Sequence, residues 1–276
     1  MPSTSTFLLF LAIFLSALAV TATPTATTIV ERDITLNPVG ITLNPVEHSV
    51  EARAVPLTNA QRLARGLTPN KPRFNHAKKN IHARQSPVPC PTVSGVIAAS
   101  IEGQGPGYVA AAPNIYGEYG FTTNVNAALR VSVKTCEGEP AQITSSNGAT
   151  AFPDVGLVTG FANSNADLST GSYNYVYFAG VTQTAPGSPP QTAPSSYSAA
   201  TGLPASVESA IWNYDSSSQA LTPFWVNTDG SLPAVSTLYA AGDNVFIVTG
   251  DVDDFRANFG TLPAATFRVV PATVVY

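Results

Sequence analysis

The chain has 276 residues, a formal net charge of −4 and 11% charged residues, less than half of the usual share of about 25%. Thr, Ser, Gly, Pro and aromatic residues are plentiful, which is typical of strands and turns and argues against a protein built from long helices. Nine Lys or Arg and four Asp or Glu precede Gln85, whereas four Lys or Arg and thirteen Asp or Glu follow from Gln85 onward. This charge asymmetry predicts that the two parts of the chain have different roles.

The N-terminus carries an apolar run, FLLFLAIFLSALAV, over residues 7–20. It is shorter than the about 20 residues that a membrane-spanning helix needs. Val20 and Ala22 suit the −3 and −1 positions of a signal-peptidase site, so we predict a secretory signal peptide over 1–22. The first six residues carry no Lys or Arg, and an uncleaved anchor is the alternative. The expectation is an extracellular protein without membrane attachment after signal cleavage.

Residues 23–84 are predicted to be a low-order basic pro-segment or linker. They include a short tandem repeat, ITLNPVGITLNPV over 34–46, with too few copies to stack into a solenoid. Thr58 with Gln61 forms a capping box and Gly66 suits a helix stop, so one short helix is predicted over 59–65.

The basic residues of this segment suggest processing at Lys78-Lys79 or at Arg84. A nucleic-acid patch is the alternative interpretation of the same residues. A secreted chain rarely meets nucleic acid, so no nucleic-acid partner is expected.

Several stretches carry a resemblance to a known group of proteins. They are PLTNAQRLARGLTPNKP, ARQSPVPCP, IYGEYGF, LVTGFAN, SAIWNYD, FWVNTDGS and GDNVFIVTGD, which together extend over most of the chain from Val55. The chain resembles a family of uncharacterised secreted proteins of mushroom-forming fungi, which have a signal peptide, a basic segment and a β-rich C-terminal domain. The resemblance implies secretion and a β-rich fold, and it implies no catalytic residue.

Residues 85–276 read as one β domain. ALRVSVK over 128–134 alternates apolar and polar residues, and YNYVYFAGV (173–181), DNVFIVTG (243–250) and ATFRVVPATVV (265–275) are further predicted strands. Residues 185–203 are expected to be a long loop, and only FRAN, capped by Asp251 or Asp253, is predicted to be helical. About ten strands without a long helix predict an all-β, antiparallel β-sandwich, with a jelly roll as a candidate topology.

The two cysteines, Cys90 and Cys136, predict a disulfide, since an even pair in an oxidising compartment normally forms one. A catalytic thiol is the alternative, but it needs a basic partner such as His, and no His follows His82.

The sequence also excludes several chemistries. A domain without His cannot hold a Ser-His-Asp triad, and no phosphate-binding or dinucleotide-binding glycine motif is present. No cofactor and no metal site are therefore expected. Asp251, Asp253 and Asp254 offer oxygen ligands for Ca²⁺, but helix capping explains two of them without a metal.

Carboxylates remain as candidates for catalysis. Glycosidases need two at roughly 5–10 Å, one of them kept protonated by burial. Glu118 lies between aromatic residues in IYGEYGF, and Glu208, Asp215 and Asp229 lie near the two tryptophans. These four are weak catalytic candidates, because thirteen acidic residues in one domain make a chance pair easy to find.

Aromatic rows are the candidates for ligand binding. Pairing Tyr214 with Leu221 across a turn makes both faces of the Trp212–Trp225 hairpin largely apolar, which favours a core. A sugar platform is the alternative, formed by Trp225 with Asn227 and Asp229, or by the one-faced row of Tyr173, Tyr175 and Tyr177.

Together these features predict a secreted, non-catalytic extracellular or cell-wall-associated protein, with polysaccharide as a candidate partner. An acid-active hydrolase made as a zymogen, either a glycosidase or a Glu-dependent protease, and a purely structural protein are the alternatives.

Overall fold

The computed structural model describes residues 35–49, 59–68 and 90–271. The chain divides into Met1–Asp33, which lies outside the described residues, and a compact unit, Ile34–Tyr276. The predicted signal peptide, the Thr58 cap and the processing sites at Lys78-Lys79 and Arg84 also lie outside the described residues.

Strands make up most of the regular structure, so the predicted all-β antiparallel class is confirmed. The strands are β1 Thr92–Ile101, β2 Pro106–Val109, β3 Phe121–Thr122, β4 Arg130–Lys134, β5 Gln142–Ser145, β6 Asp154–Thr159, β7 Tyr175–Val181, β8 Gln191–Thr192, β9 Ser206–Glu208, β10 Trp212–Tyr214, β11 Ala220–Pro223, β12 Ser236–Ala240, β13 Val245–Thr249 and β14 Ala265–Val270. The helices are α1 Asn59–Ala64, α2 Ser196–Thr201 and α3 Val252–Phe259, with a 3-10 turn at Val125–Ala127. Among the described residues no helix is long and apolar enough to cross a bilayer.

Ten strands follow one hydrogen-bonded path in the order β10-β11-β14-β1-β4-β5-β6-β7-β13-β12, and β2, β3, β8 and β9 attach to its side. The path curls back on itself. Leu238 of β12 forms a bridge to Ala264, just before β14, and Trp212 of β10 forms a bridge to Ala141, just before β5. The two halves of the sheet therefore face each other.

Two apolar clusters lie on opposite faces of the strands β6, β7 and β13. The inner cluster fills the space between the halves of the sheet, where Phe178 contacts Trp212 and Phe267 at centroid distances of 5.2 and 4.9 Å. The outer cluster includes Tyr175, Tyr177, Tyr197, Val207, Ile247 and Phe255. Since side chains alternate along a strand, Phe178 belongs to the inner cluster and its neighbour Tyr177 to the outer one.

The strand predictions are confirmed where local alternation was clear. Leu129, Val131 and Val133 are buried together in the inner cluster, while Arg130 and Lys134 point away from it. The predicted hairpin also has the expected register, with Tyr214 opposite Leu221. The predicted disulfide between the cysteines that flank β1 and β4 is present.

The helix predictions are partly confirmed. Helix α3 begins after Asp251, whose carboxylate accepts hydrogen bonds from the N–H groups of Asp253 and Asp254. Helix α1 matches its prediction to within one residue at its end. The expectation that FRAN is the only helical stretch of the domain is wrong, because α2 lies inside the predicted 185–203 loop. A capping box formed by Ser195 and Ser198 is the local signal for this helix. The helix has six residues, which are too few to show apolar periodicity.

Residues 35–49 lie in the segment predicted to be extended and poorly ordered, and the structure shows them without a helix or a named strand. This segment, called the N-terminal strap below, packs on the β domain. Asn37 is 3% exposed, and His48 forms a bridge with Ala149. The described part of the basic leader therefore contributes a buried side chain to the folded unit through Asn37, whereas His48 is exposed.

Candidate functional site

The candidate site is built around Glu118, on a tight loop after β2. Asn114 closes this loop: its backbone N–H donates to the Glu118 carbonyl at 2.7 Å, and its Oδ1 accepts from the Tyr116 and Glu118 N–H groups. Its Nδ2 donates to Glu118 Oε2 at 2.8 Å. The Glu118 carboxyl is therefore held by an amide from its own loop.

The strand β7 supplies two phenols to the same site. Glu118 forms a bridge with Ala179 of β7, which places it on the outer face with Tyr175 and Tyr177. The Tyr175 hydroxyl donates to the carbonyl oxygen of Leu36 at 2.6 Å, and the Tyr177 hydroxyl donates to the same oxygen. The two hydroxyls are 3.3 Å apart.

Helix α2 brings the third phenol, Tyr197, which stacks on Tyr177 with a centroid distance of 5.2 Å. Its neighbour Ser196 fastens the helix, because its Oγ donates to the carbonyls of Gly117 and Gly180 and accepts from the Gly180 N–H. The Glu118 loop, β7 and α2 are thus joined at one point.

The N-terminal strap closes the site. Asn37 Nδ2 donates to Glu118 Oε2 at 3.2 Å, across 81 residues of sequence. The side chain of Leu36 packs against the outer cluster. The group formed by Asn114, Glu118, Tyr175, Tyr177 and Tyr197, closed by Leu36 and Asn37, is called the Glu118 cluster.

The environment of Glu118 favours the neutral form of its carboxyl near neutral pH. Its side chain is fully buried, and burial raises the pKa of its carboxyl to about 8 despite the opposing hydrogen bonds from Asn114 and Asn37. The nearby carboxyl of Asp243 raises the pKa further. A neutral carboxyl can both donate and accept a hydrogen bond.

The Glu118 cluster is incompletely satisfied. Among the described residues, Glu118 Oε1, the Tyr197 hydroxyl and Asn37 Oδ1 are buried and have no hydrogen-bond partner. A buried polar group without a partner costs about 1–3 kcal/mol. Buried polar groups nearly always have a partner, so three such groups in one cluster make it the strongest candidate site among the described residues.

Gly117 is required for the position of Glu118. Its φ is +82°, and an added Cβ would lie 2.2 Å from the Ser196 carbonyl oxygen. We expect Gly117→Ala to lower the free energy of unfolding by about 1–2 kcal/mol for the left-handed backbone, and by about 1 kcal/mol or more for the clash.

Gly138→Ala is the matched control, because Gly138 has a φ of +76° and no atom within 4 Å of an added Cβ. Urea unfolding of both variants measures the difference. Equal losses would show that the contact between Gly117 and α2 does not constrain the loop.

Glu208 is the second fully buried carboxyl. Burial raises its pKa to about 9, against hydrogen bonds that its carboxyl accepts from the Val226 N–H at 3.1 and 3.3 Å. It lies opposite Leu157, which belongs to the inner cluster. Glu208 is therefore also neutral, and it points into the core.

The two buried carboxyls do not form a catalytic pair. Ala179 and Gly156 are paired across β6 and β7, and Glu118 shares their face, whereas Glu208 shares the face of Leu157. Neighbouring residues of a strand point to opposite faces of a sheet. The register therefore places the Glu118 and Glu208 side chains on opposite faces of the sheet, so these two of the four candidates do not flank one bond.

The other two acidic candidates lie in exposed turns. The Ser218 and Ser217 hydroxyls donate to Asp215 and lower the pKa of its carboxyl to about 2. Ser231 lowers the pKa of Asp229 in the same way. Both carboxylates stabilise local turns, and neither lies in the Glu118 cluster.

The interpretation of Trp225 as a sugar platform is not supported, because Trp225 is fully buried in the inner cluster and its Nε1 donates to the Ala166 carbonyl. Asn227 is also buried, with its side chain bonded to the N–H and carbonyl of Leu168. Tyr175 is buried too, and Tyr173 is half-buried against Phe259. The aromatic rows fill the core, and only the hydroxyl ends of Tyr175 and Tyr177 reach the Glu118 cluster.

The acidic run at the start of α3 serves as a helix cap. Asp251 Oδ1 accepts from two N–H groups of the helix, and its Oδ2 accepts from the Gly171 N–H at 2.9 Å. Within residues 35–49, 59–68 and 90–271, no group of three His, Cys, Asp or Glu side chains is placed to hold a metal ion.

Sequence reasoning identified Glu118 and the tyrosine row but missed Asn114, Tyr197 and Asn37. Asn114 lies four residues before Glu118, and an Asn that bonds nearby N–H groups is a recognisable turn signal. Tyr197 and Asn37 carry no local signal, because only the folded chain brings them together.

Comparisons of the chain with protein-family models, with curated proteins and with solved structures found no match. Membership of the mushroom-fungal family stays a prediction that depends on the quoted sequence stretches.

Proposed function

We propose that this chain is a secreted, non-catalytic extracellular protein that binds carbohydrate at the Glu118 cluster. The observation that carries the proposal is the set of buried, unpartnered polar atoms at one point, namely Glu118 Oε1 and the Tyr197 hydroxyl, within the described residues. A neutral carboxyl, an amide and phenol hydroxyls suit a neutral ligand rich in hydroxyl groups.

A binding role fits the carboxyl geometry better than a catalytic one. Glycoside hydrolysis requires two carboxyls on either side of one bond. Glu118 and Glu208 point to opposite faces of the sheet, and Asp215 and Asp229 belong to exposed turns. The neutral Glu118 therefore acts as a hydrogen-bonding group of the site.

Binding is tested with the full chain carrying an inserted recognition sequence for a specific protease after Arg84, both intact and after cutting. We expect the cut form to bind a fungal or plant wall polysaccharide on a glycan array. We expect Tyr197→Phe to weaken binding about tenfold without loss of stability, because it removes a hydroxyl that has no partner among the described residues.

Tyr214→Phe is the matched control, since Tyr214 packs against the inner cluster instead. Equal effects of the two variants, or no binding to any wall polysaccharide by either form, would contradict the proposal.

An acid-active hydrolase made as a zymogen is the second candidate, and the nearness of Asp243 to Glu118 favours it. Asp243 acts electrostatically on the buried carboxyl, and its carbonyl accepts from Asn114 Nδ2 at 2.8 Å. Glu118→Gln separates the two candidates, because Gln keeps the shape of a neutral carboxyl but cannot transfer a proton. Retained binding without turnover in any form supports a binding protein, whereas turnover that Glu118→Gln abolishes supports the hydrolase.

A further inference from the structure

The N-terminal strap occupies the place where a ligand of the Glu118 cluster would sit. The carbonyl of Leu36 accepts from the hydroxyls of Tyr175 and Tyr177, and the Asn37 amide donates to Glu118. We propose that the strap is a built-in peptide competitor of this site, which leaves when the chain is cut between residues 49 and 90. The inference rests on the proposed function, since it concerns access to the same site.

The attachment of the strap is concentrated at one short anchor. Asn37 and Pro38 are the buried residues of the strap, whereas Val39 is 74% exposed and Ile41 37% exposed. Beyond the anchor, the backbone bonds to the domain are Asn44 N–H to the Ala200 carbonyl, Ser49 N–H to the Gly148 carbonyl and Thr150 N–H to the Glu47 carbonyl. Most of the strap therefore lies on the surface.

The anchor also fits its site incompletely. Asn37 Oδ1 has no hydrogen-bond partner among the described residues, and neither do Glu118 Oε1 and the Tyr197 hydroxyl. A ligand that bonds to the two domain atoms gains contacts that the strap does not make. In the proposed competitor role, the covalent connection keeps the strap at a high effective concentration beside the site.

Cutting the chain removes this advantage. The strap then becomes a separate peptide that rebinds only at high concentration. The tandem repeat offers a probe and a control for this step. Leu36-Asn37-Pro38 of the first copy is the anchor, while Leu43-Asn44-Pro45 of the second copy has the same sequence but an exposed Asn44.

The test uses the full chain with the protease sequence after Arg84. After cutting and dilution, we expect size-exclusion chromatography and mass spectrometry to show release of the N-terminal fragment. A fluorescent peptide ITLNPVG should then bind the cut chain saturably and bind the intact chain at least about tenfold more weakly. The peptide with Asn37→Asp should bind about tenfold more weakly, because a carboxylate cannot donate to Glu118 Oε2.

A second pair of variants needs no cutting and decides the question if the cut chain unfolds. In the intact chain, Asn37→Ala should strengthen binding of the peptide about tenfold, because it weakens the occupant. Asn44→Ala should change it much less, because it removes only a 3.4 Å hydrogen bond from an exposed amide to the Ala199 carbonyl. A fragment that stays bound and does not exchange with excess peptide, or equal effects of Asn37→Ala and Asn44→Ala, would overturn the inference.

Failure of this inference is distinguishable from failure of the proposed function, because fragment release and peptide exchange are measured without any sugar. Peptide exchange without polysaccharide binding would leave the competitor role in place and remove the carbohydrate proposal. Polysaccharide binding by the intact chain that depends on Tyr197, together with no fragment release, would support the carbohydrate proposal and overturn the competitor role of the strap.

Discussion

Raising the pH from about 5 to about 8 is expected to lower the free energy of unfolding of the chain. Paired carboxylates have the opposite effect, because they destabilise a protein as the pH falls. Burial raises the pKa of Glu118 from 4.5 to about 8 and that of Glu208 from 4.5 to about 9. In this range the folded chain holds protons that the unfolded chain releases. Their stabilising contribution is therefore complete below about pH 4.5 and is lost as the pH rises through the folded pKa values.

The expected size of this effect is large. Each linked proton lowers the free energy of unfolding by up to about 1.4 kcal/mol per pH unit, so the two carboxyls together account for several kcal/mol across the range. Urea unfolding at pH 5, 6.5 and 8 measures it. Glu118→Gln and Glu208→Gln should each flatten the dependence, since Gln does not titrate.

Asp215→Asn is the matched control, because Asp215 is exposed and the pKa of its carboxyl is lowered to about 2. Its contribution is present above the ordinary pKa and is lost only as the pH falls toward about 2. This variant should therefore leave the dependence between pH 5 and 8 unchanged. A wild-type stability that stays flat or increases over this range would contradict the assignment of Glu118 and Glu208 as neutral groups.

Loss of the disulfide is the other change expected to have a large effect. Cys90 and Cys136 are separated by 46 residues, and a crosslink over a loop of this size stabilises by about 4 kcal/mol in the chain-entropy model. The bond extends the pairing of β1 and β4, where Thr92 lies opposite Lys134 and the Thr135 N–H donates to the Pro91 carbonyl. The double variant Cys90→Ser with Cys136→Ser should lose about this much.

Urea unfolding with and without a thiol reductant measures the effect in the wild-type chain. The double variant serves as the control, because a reductant has nothing left to reduce in it. A loss below about 1 kcal/mol would show that the β1–β4 ladder already restricts the unfolded chain, or that the reduced fold relaxes at little cost.

Both predictions concern conditions that a secreted protein would meet, and secretion is part of our proposal. Protonated Glu118 and Glu208 favour the folded state in a mildly acidic medium, and the disulfide suits an oxidising one. The same protonation keeps the Glu118 cluster neutral. The state expected to be most stable is therefore also the state expected to bind a neutral ligand.

Much of the local structure is determined by the sequence itself. Alternation at Leu129, Val131 and Val133 is a pattern of neighbouring residues, and so is the cap that Asp251 places on α3. The pairing of Cys90 with Cys136 required only an even count and an oxidising compartment. The hairpin register of Tyr214 with Leu221, which was assumed from the sequence across one polar turn, is the register that the structure shows. Each of these features depends on interactions that act over a few residues or on composition.

Only the tertiary structure decided the site. Nothing local indicates that Glu118 and Glu208 point to opposite faces, because that outcome depends on which residues of β6 face β7 and β9. Nothing local indicates that Asn37 meets Glu118 across 81 residues. The apolar faces of the hairpin favoured a core, but the sugar-platform alternative for Trp225 was decided only by its complete burial in the folded chain. The same local patterns allow many arrangements, and long-range register and packing select one of them. For this reason the N-terminal strap, which the sequence predicted to be poorly ordered, packs on the β domain.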